Sequence, residues 1–371
     1  MKIGVDVRCL MNGQYSGVSW YTYNLLKSVF GLDSFNQYLL FYNSNKKMPL
    51  PEFPYANVSY RGFRYPNKLF NLSSNFLNFP KADKLIGGVD LFFVPNFHFI
   101  SWSDSCRKVI TVHDLSFLSF PEFFTARMRL RHKLIIKSGI LKRADMIIAD
   151  SFSTKDDLIS LLEVPEEKIK VVHLGVEQKY FTEPGADELL AVKNKYQLPD
   201  RFILSLSTIE PRKNFAGVIS AYKLSRSDAA LVIAGGRGWK MPALGQLAGR
   251  HQQIKTLGYV DEKDKPALYR LASLLAYPSF YEGFGLPLLE AMASGCPVIG
   301  GANSSQPEVI GEGGLLVDPY NVTQIAEAMK AILDDEQLRQ RLIKKGRERA
   351  ESFGWDRTAA QTLEIFNNLK S

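Results

Sequence analysis

The chain has 371 residues, 46% of them hydrophobic, which is enough to bury the cores of two or three domains. Its scattered cysteines, Cys9, Cys106 and Cys296, exclude a disulfide framework and a zinc motif and favour a reducing, cytosolic compartment. No apolar run approaches the ~18 residues of a membrane-spanning helix, and the strand-like start does not resemble a signal peptide, so we expect a soluble or membrane-peripheral protein.

The formal net charge of +8 lies almost entirely in the N-terminal half. Residues 1–180 contain 23 Lys and Arg against 16 Asp and Glu, whereas residues 181–371 contain 23 against 22. Such an excess favours an anionic partner for the first half, such as a lipid surface, a phosphate or a nucleic acid. Scattered, solvated lysines are an equally simple explanation of the charge alone.

Short β-branched runs alternate with helical patterns along the whole chain. In the first half the strand-like runs are KIGVDV, YLLFY, LFFVP, KVITV, MIIAD and KIKVVHLGV, and in the second half they are FILSLST, ALVIAGG, IKTLGYV, LLAYPS, PVIGG and LLVDP. This alternation predicts an α/β protein with two Rossmann-like domains, each a doubly wound parallel sheet. We expect ligands at the C-terminal ends of the strands, in the cleft that the two domains face.

Two loops that follow strands contain residues suited to phosphate. Gly13 and Gly17 lie in the turn before the first helix, where free amides favour an anion, but the spacing is not the G-x-G-x-x-G of a dinucleotide site. In STIEPRKNF, Arg212 and Lys213 combine a guanidinium with an ammonium, the pair that a diphosphate requires. The alternative for the first loop is that its glycines only make the turn, and the alternative for the second is that it is an exposed basic turn without a ligand.

The segment SFYEGFGLPLLEAMASG places Glu282 before, and Glu290 within, a predicted helix. Gly283 and Gly285 let backbone amides approach a ligand at the helix N-terminus, which favours an anion. Carboxylates accept hydrogen bonds from hydroxyls, so a ligand with a central diphosphate and a hydroxyl-bearing ring at each end suits all these groups. This pattern predicts a nucleotide sugar. The alternative is that Glu290 interacts only with the helix dipole and that Glu282 is solvated.

Nearly the whole chain resembles glycosyltransferase family 4, whose members are retaining enzymes with the GT-B fold. The resemblance lies in YEGFGLPLLEAMASGCPVI with its E-x7-E spacing, in EPRKN, in TVHDLSFLSFPEFF and in the Gly17 loop. It implies that Glu282 contacts the donor sugar and that Glu290 contacts the ribose. It also implies donor contacts from a further set of residues: Gly17, Arg212, Lys213, Gly283, Phe284, Gly285 and Leu286.

His113 follows the strand KVITV and precedes Asp114, at a strand end that faces the expected cleft. The resemblance implies that it lines the sugar pocket, and we expect it to orient the donor sugar rather than to act as a general base. The expected catalytic residues are therefore His113, Arg212, Lys213 and Glu282. We expect an N-terminal acceptor domain of residues 1–180, a nucleotide-sugar domain of residues 181–355, and a helix in residues 356–371 that returns to the N-terminal domain.

We expect no metal ion and no cofactor, because the sequence contains no Asp-x-Asp at a strand end and no His, Asp and Glu cluster with metal spacing. Arg212, Lys213 and helix N-termini would then neutralise the leaving diphosphate. The motifs most resemble bacterial mannosyltransferases of O-antigen or other surface polysaccharide synthesis, which implies GDP-mannose as donor. A UDP-sugar or dTDP-rhamnose donor, a GT-B epimerase or phosphorylase, and a non-catalytic nucleotide-sugar sensor are the alternatives.

The acceptor is expected to meet the basic N-terminal half. The segment ARMRLRHKLIIKSGILKR is rich in cations, among them Arg127, Arg129, Arg131 and Lys133, and FPYANVSYRGFRYPNKLFNLSSNFLNF mixes aromatic residues with three cations, Arg61, Arg64 and Lys68. This mixture favours an anionic membrane surface and a lipid-linked or oligosaccharide acceptor, at the inner face of the cell membrane. No nucleic-acid-binding module is present. A helix whose basic face is merely solvated is the alternative.

Overall fold

The computed structural model describes residues 1–11, 15, 17–46, 48–241 and 251–369. The chain divides into two compact units. Unit 1 consists of Met1–Leu118, Ala126–Gly175 and Trp355–Ser371, and unit 2 consists of Ser119–Thr125 and Val176–Gly354. The sequence placed the corresponding boundaries after residues 180 and 355.

Within the described residues, unit 1 is built on a seven-stranded parallel sheet with the order β3-β2-β1-β4-β5-β6-β7. Its strands are β1 (Lys2–Asp6), β2 (Gln37–Asn43), β3 (Val58–Phe63), β4 (Leu91–Val94), β5 (Arg107–Val112), β6 (Met146–Ala149) and β7 (Ile169–Val171). Every residue of β4 is buried, as are the last three of β6. Continuous burial of this kind is typical of a parallel sheet with helices on both faces.

Unit 2 contains a six-stranded parallel sheet with the order β10-β9-β8-β11-β12-β13 among the described residues. Its strands are β8 (Phe202–Leu206), β9 (Ala230–Ala234), β10 (Ile254–Gly258), β11 (Leu274–Tyr277), β12 (Val298–Gly301) and β13 (Gly314–Val317). The expected α/β fold with two doubly wound parallel sheets is therefore confirmed.

The α-helices of the described residues lie in the connections between these strands and in the chain after β13. In chain order they are α1 (Gly17–Leu32), α2 (Asn67–Phe76), α3 (Ala82–Leu85), α4 (Ser116–Ser119), α5 (Ala126–Lys137), α6 (Ile140–Arg143), α7 (Phe152–Leu162), α8 (Ala186–Lys195), α9 (Phe215–Ser225), α10 (Lys265–Leu271), α11 (Leu286–Ala293), α12 (Gln306–Ile310), α13 (Val322–Asp334), α14 (Glu336–Glu351) and α15 (Trp355–Asn368). None of these described helices is both long enough and apolar enough to cross a bilayer.

Helix α15 belongs to unit 1 although it follows unit 2 in the chain. It packs along α1, where the Trp355 ring lies 6.1 Å from that of Tyr21. The Phe366 ring lies 5.3 Å from that of Phe93 on β4. Both Phe366 and Phe93 are buried, so α15 covers part of the unit 1 core.

The segment Ser119–Thr125 belongs to unit 2 although the chain on both sides of it belongs to unit 1. Trp239 Nε1 donates a hydrogen bond of 2.8 Å to the Phe123 carbonyl. The Phe120 ring lies 5.8 Å from the Tyr281 ring. These contacts place the segment beside the loop that precedes α11.

In each sheet, successive strands are added first on one side of its first strand and then on the other side, so the winding direction changes once. The change lies between β1 and β4 in unit 1 and between β8 and β11 in unit 2. The connections that leave two such strands diverge to opposite faces of the sheet and open a crevice at the carboxyl ends. The loops after these strands are therefore the places to look for ligand-binding side chains.

A close backbone approach fixes the loop after β8. Gly235, directly after β9, has φ of +141°, and a Cβ at this position would lie 1.7 Å from the Ser207 carbonyl oxygen. The Ile209 amide donates to the Gly236 carbonyl at 2.9 Å. The loops after β8 and β9 are thereby joined through main-chain contacts.

We predict that Gly235→Ala destabilises unit 2 by at least about 2 kcal/mol, because the added Cβ displaces the Ser207 backbone and the residue is strained at positive φ. Gly236→Ala is the matched control, because the nearest atom to its added Cβ is a Tyr259 side-chain carbon at 3.9 Å. Hydrogen exchange of β8 and β9 amides in native conditions measures the effect. Equal exchange in both variants would contradict the prediction.

Candidate active site

The turn Pro211–Lys213 follows β8 and brings two cations to the carboxyl edge of the unit 2 sheet. Asn214 ends this turn at φ of +56° and caps α9, because its Oδ1 accepts from the Gly217 amide at 3.2 Å. Its Nδ2 donates to the carbonyls of Pro278, at 3.1 Å, and Pro319, at 2.7 Å. The Asn214 side chain thus ties the turn to the loop after β11.

Arg212 and Lys213 form one ion-pair network with Glu282. Lys213 Nζ lies 2.7 Å from Glu282 Oε1 and donates to the Tyr277 hydroxyl at 2.8 Å. Arg212 Nη1 donates to Glu282 Oε2 at 3.1 Å. Arg212 Nη2 donates to Glu210 Oε1 at 2.8 Å. Two cations and two carboxylates therefore meet in a neutral cluster.

The sequence assigned Arg212 and Lys213 to phosphate and Glu282 to sugar, and the structure brings all three side chains into direct contact. Sequence reasoning missed Glu210 and Tyr277. Glu210 lies within the EPRKN motif, two residues before Arg212, and is buried. The sequence did offer a signal for Glu210, because a buried guanidinium requires an acidic partner and Glu210 is only two residues away from Arg212.

The network keeps Glu282 ionised. Burial by itself raises the pKa of this carboxyl, but the charges of Lys213 and Arg212 outweigh that effect and lower the pKa to about 2. Burial also lowers the pKa of Lys213, with a further contribution from Arg212, against the attraction of Glu282. Burial and the Glu282 charge raise the pKa of Tyr277 well above its ordinary value. An ionised carboxylate only accepts hydrogen bonds, so Glu282 suits a hydroxyl-bearing partner.

The loop from Glu282 to Leu286 is held from behind by the residues before α12. Ser305 Oγ donates to the carbonyls of Glu282, at 3.0 Å, and Phe284, at 2.7 Å. In a planar trans peptide the next amide points opposite to the carbonyl. The Gly283 and Gly285 amides therefore point away from Ser305. Sequence reasoning missed Ser305.

Gly285 makes the turn into α11. Its φ of +111° lies in a region that side chains rarely adopt, and α11 begins at the next residue, Leu286. The Phe284 ring packs against Phe353, at 5.8 Å. The loop at the N-terminus of α11 is thus fixed, and it consists of Gly283, Phe284, Gly285 and Leu286. The sequence predicted a loop at this place. The contact of these residues with a donor stays a prediction.

Glu290 lies in α11 with partners different from those of Glu282. Its Oε2 accepts from the Tyr269 hydroxyl at 2.9 Å and lies 3.9 Å from Lys265 Nζ. Burial raises the pKa of Glu290 and the Glu262 charge adds to this, while Lys265 opposes it. Burial and the Glu290 charge also raise the pKa of Tyr180 well above its ordinary value, so the Tyr180 hydroxyl lies near this carboxylate. Tyr269 fixes one of the two carboxylate oxygens.

His113 lies directly after β5 in unit 1, and both of its ring nitrogens are engaged. Nδ1 lies 2.6 Å from Asp150 Oδ2 and Nε2 lies 3.0 Å from the Pro95 carbonyl oxygen. Because both partners are acceptors, the arrangement suits a ring that donates from both nitrogens. Burial lowers the pKa of His113, but Asp150 outweighs burial and raises it. The two acceptors and the raised pKa therefore both favour the protonated form of His113.

The sequence paired His113 with Asp114, but Asp114 accepts from the Ser116 amide and hydroxyl instead. The side chain that pairs with the His113 ring is Asp150, directly after β6, which sequence reasoning missed. Gly17 begins α1 and is exposed, with no atom within 4 Å of an added Cβ. Gly13 lies outside the described residues.

A second polar cluster at the carboxyl edge of the unit 1 sheet was also missed. Asp6 ends β1, and its Oδ2 lies 2.7 Å from Arg8 Nη2 and 3.3 Å from His98 Nε2. Burial and the Arg8 charge lower the pKa of His98 to about 4, against the attraction of Asp6. His98 is thus neutral near pH 7. The cluster lies between β1 and β4, where the winding of this sheet changes.

The described residues contain no group of three or more His, Cys, Asp or Glu side chains that could hold a metal ion. Positive charge near the unit 2 loops comes from Arg212, Lys213 and Lys265.

We predict that the stability added by the His113–Asp150 pair is lost as the pH rises. The pKa of His113 is higher in the folded state than in the unfolded state. The pair therefore adds its full stability below the ordinary histidine pKa of about 6.5, and this stability is lost as the pH rises through the raised folded-state pKa. The difference in unfolding free energy between wild type and His113→Gln should therefore shrink as the pH rises above about 6.5. His251→Gln, at a ring that packs on Tyr222 at 5.5 Å, is the control. A difference that does not change with pH would count against the pair.

Comparison with known families divides the chain in the same place as the two sheets. Residues 15–180 match the model of Glycosyltransferase Family 4, and residues 188–349 match the model of Glycosyl transferases group 1. Strand β1 precedes the first match, whereas the described strands of the second sheet all lie within the second match.

Individual relatives and solved structures agree with these matches. The O-antigen chain mannosyltransferase B of Escherichia coli is 37% identical over 272 residues, 71% of each chain. The serotype-specific mannosyltransferase WbdA of E. coli is 32% identical over 274 residues, 71% of this chain but only 34% of that protein. Sucrose-phosphate synthase from Thermosynechococcus elongatus superposes with a TM-score of 0.77 at 22% identity, over 99% of this chain and 98% of that one. The chain therefore belongs to glycosyltransferase family 4 and has the GT-B fold.

Proposed function

We propose that the protein transfers mannose from GDP-mannose to a lipid-linked or growing polysaccharide acceptor in the synthesis of O-antigen or a related surface glycan. The identity of 37% to a relative named as an O-antigen chain mannosyltransferase supports the sugar and the pathway. The geometry of the site supports a nucleotide sugar as the donor class. Arg212, Lys213, Glu282 and Glu290 lie within unit 2, whose sheet changes its winding direction between β8 and β11.

The observation that carries the proposal is the neutral network of Glu210, Arg212, Lys213 and Glu282. A diphosphate adds negative charge and competes with the carboxylates for the two cations. Lys213 and Arg212 can exchange Glu282 for phosphate oxygens, while Glu210 keeps Arg212 in place. Glu282 is then free to accept hydrogen bonds from the hydroxyls of the sugar.

The same cations assist the departure of GDP. Negative charge develops on the β-phosphate as the glycosidic bond breaks, and preorganised donors stabilise such charge strongly. Arg212 and Lys213 are both largely buried, which strengthens their interaction with that charge. We propose that they take the place of a divalent metal ion.

The proposed reaction retains the configuration of the transferred sugar, as in the family. Glu282 is engaged by two cations, which makes it a poor nucleophile. The leaving phosphate then accepts the proton of the acceptor hydroxyl as the new bond forms on the same face. Glu290 binds the ribose while Tyr269 holds its Oε2. His113 positions the donor sugar through its charge and its ring, since both nitrogens are engaged.

A panel of donors tests the proposal: GDP-mannose, UDP-glucose, UDP-N-acetylglucosamine and dTDP-rhamnose, each labelled in the sugar. We expect label from GDP-mannose in a lipid-linked or oligosaccharide product. Label in an epimer or a sugar phosphate would identify the epimerase or phosphorylase alternative, and binding without turnover would identify a sensor. Preference for another donor would overturn the assignment of GDP-mannose but not that of a glycosyltransferase.

We predict that GDP stabilises the protein without a divalent ion, because Arg212 and Lys213 supply the positive charge. At a hundredfold excess over Kd the unfolding free energy should rise by about 2.7 kcal/mol. Thermal denaturation with EDTA and with added magnesium measures the effect, and Lys213→Met should remove most of it. Lys223→Met, on α9, is the control. Stabilisation that requires magnesium would contradict the metal-free proposal.

We predict that Glu282 and Glu290 recognise different parts of the donor. Glu282→Gln should bind GDP at least as tightly as wild type, because the carboxylate no longer competes for Lys213 and Arg212. It should bind GDP-mannose more weakly and turn over tenfold to a hundredfold more slowly, the scale of one charge-assisted hydrogen bond of ~1.5–3 kcal/mol.

Glu290→Gln should weaken GDP and GDP-mannose alike, because both ligands contain the ribose. Titration calorimetry with both ligands measures the two variants, with Glu327→Gln on the exposed face of α13 as the control. An equal loss of both ligands in Glu282→Gln would show that the two carboxylates do not divide the donor in this way.

A further inference from the structure

Helix α2 in unit 1 has two apolar faces. One face packs inward, where Phe70 is buried and stacks on Phe41 with ring centroids 5.9 Å apart. The other face contains Leu69, Leu72 and Phe76, which are three and four residues apart and therefore lie on one side of a helix. The inward face packs α2 against the rest of unit 1, and the outward face remains exposed.

The outward face continues into the chain after α2. We call the exposed set the α2 patch, and it consists of Leu69, Leu72, Phe76, Leu77 and Phe79. Each of these side chains is between 56 and 74% exposed. They line a groove of about 640 Å³ whose exposed wall is almost wholly apolar. A contiguous apolar surface of this kind is typical of an interaction site.

The chain around the α2 patch is positively charged. Between Glu52 and Asp83 the sequence has no acidic residue but has four cations, Arg61, Arg64, Lys68 and Lys81. Arg61, Arg64 and Lys68 are exposed, and no ion pair joins them to another described residue. Asp83 does not offset them at the surface, because it is buried and accepts from the Ser103 amide at 2.7 Å.

We propose that the α2 patch inserts into the acyl region of an anionic bilayer while Arg61, Arg64 and Lys68 contact the lipid headgroups. An amphipathic helix with exposed Leu and Phe on one side and cations nearby is the arrangement that binds in the plane of a membrane. A second copy of the chain fits poorly, because it would bring the same cations face to face. The inference extends the proposed function, since it rests on an acceptor that is lipid-linked.

The sequence suggested two segments for the membrane surface, the one that contains α2 and the one that contains α5. Helix α5 exposes four cations, Arg127, Arg129, Arg131 and Lys133. Among its described residues, Leu130 is the one large apolar side chain that is more than half exposed. Helix α5 can therefore add attraction to an anionic surface. The α2 patch supplies the apolar side chains that penetrate it.

Sedimentation with vesicles of phosphatidylglycerol and phosphatidylcholine tests the proposal. Wild type should bind the vesicles, and Leu72→Gln with Phe76→Gln should weaken the binding at least tenfold, because burial of each side chain favours the bound state. The control replaces Leu224 and Phe35, two exposed apolar residues elsewhere, with Gln. The control should bind as wild type does.

A fluorophore sensitive to polarity, attached at Leu72→Cys, should brighten and shift to the blue on these vesicles, and the same label at Leu224→Cys should not. The native cysteines are buried or half-buried, and labelled wild type provides the blank. The proposal would be overturned if the α5 variant, Arg127→Gln with Arg129→Gln, abolished vesicle binding while the α2 variant left it intact. An absence of vesicle binding by wild type would also overturn it, as would self-association or capture of an acidic protein that depends on Leu72 and Phe76.

Binding of GDP, measured by calorimetry on the same variants, separates this proposal from that of the donor. Loss of vesicle binding with intact GDP binding supports the α2 patch. Loss of GDP binding in the α2 variant would show a general defect and overturn the inference. Intact vesicle binding by a protein that binds no nucleotide sugar would overturn the proposed function and leave the α2 patch in place.

Discussion

Two buried carboxylates and two cations meet at the carboxyl edge of the unit 2 sheet, and none of these charges could be buried there alone. Glu210 and Glu282 are each no more than 5% exposed. Removal of an ion from water costs several kcal/mol, and only close, well-oriented partners offset that cost. The distances of 2.7–3.1 Å from Lys213 and Arg212 to Glu282 provide such partners. The loops after β8 and β11 must therefore keep one relative position, and the turn at Asn214 and the contacts of Ser305 secure it.

Unit 1 follows the same logic with different residues. Asp6, His113 and Asp150 each come directly after, or at the end of, a strand of the first sheet. In each case an acidic group meets a basic side chain, Arg8 for Asp6 and His113 for Asp150. Parallel strands bring side chains that are far apart in sequence to one edge, and polar groups buried at that edge require partners.

The fold and the residue types of the site could be predicted from the sequence, but their pairing could not. Alternating strands and helices indicate doubly wound sheets because the two periods, 2.0 and 3.6, are local properties. Arg212, Lys213 and Glu282 were identified from the loops in which they lie, and Glu290 from the helix that follows. The contact of Lys213 with Glu282 spans 69 residues, and no local pattern encodes it. Asp150 was missed for the same reason, since a single aspartate after a strand is a common turn residue and only the folded sheet places it 2.6 Å from His113.

The path of the chain has a consequence for how the protein is made and divided. The boundaries of the two units are crossed after Leu118, Thr125, Gly175 and Gly354, so each unit is assembled from separated segments. A fragment that ends at Gly175 would lack α15 and expose the side of Phe93 that Phe366 covers. Unit 1 therefore reaches its complete core only after α15 has left the ribosome. Neither unit can be exchanged with a relative by one cut in the gene, and recombination within the family must keep the segments of unit 1 on both sides of unit 2 together.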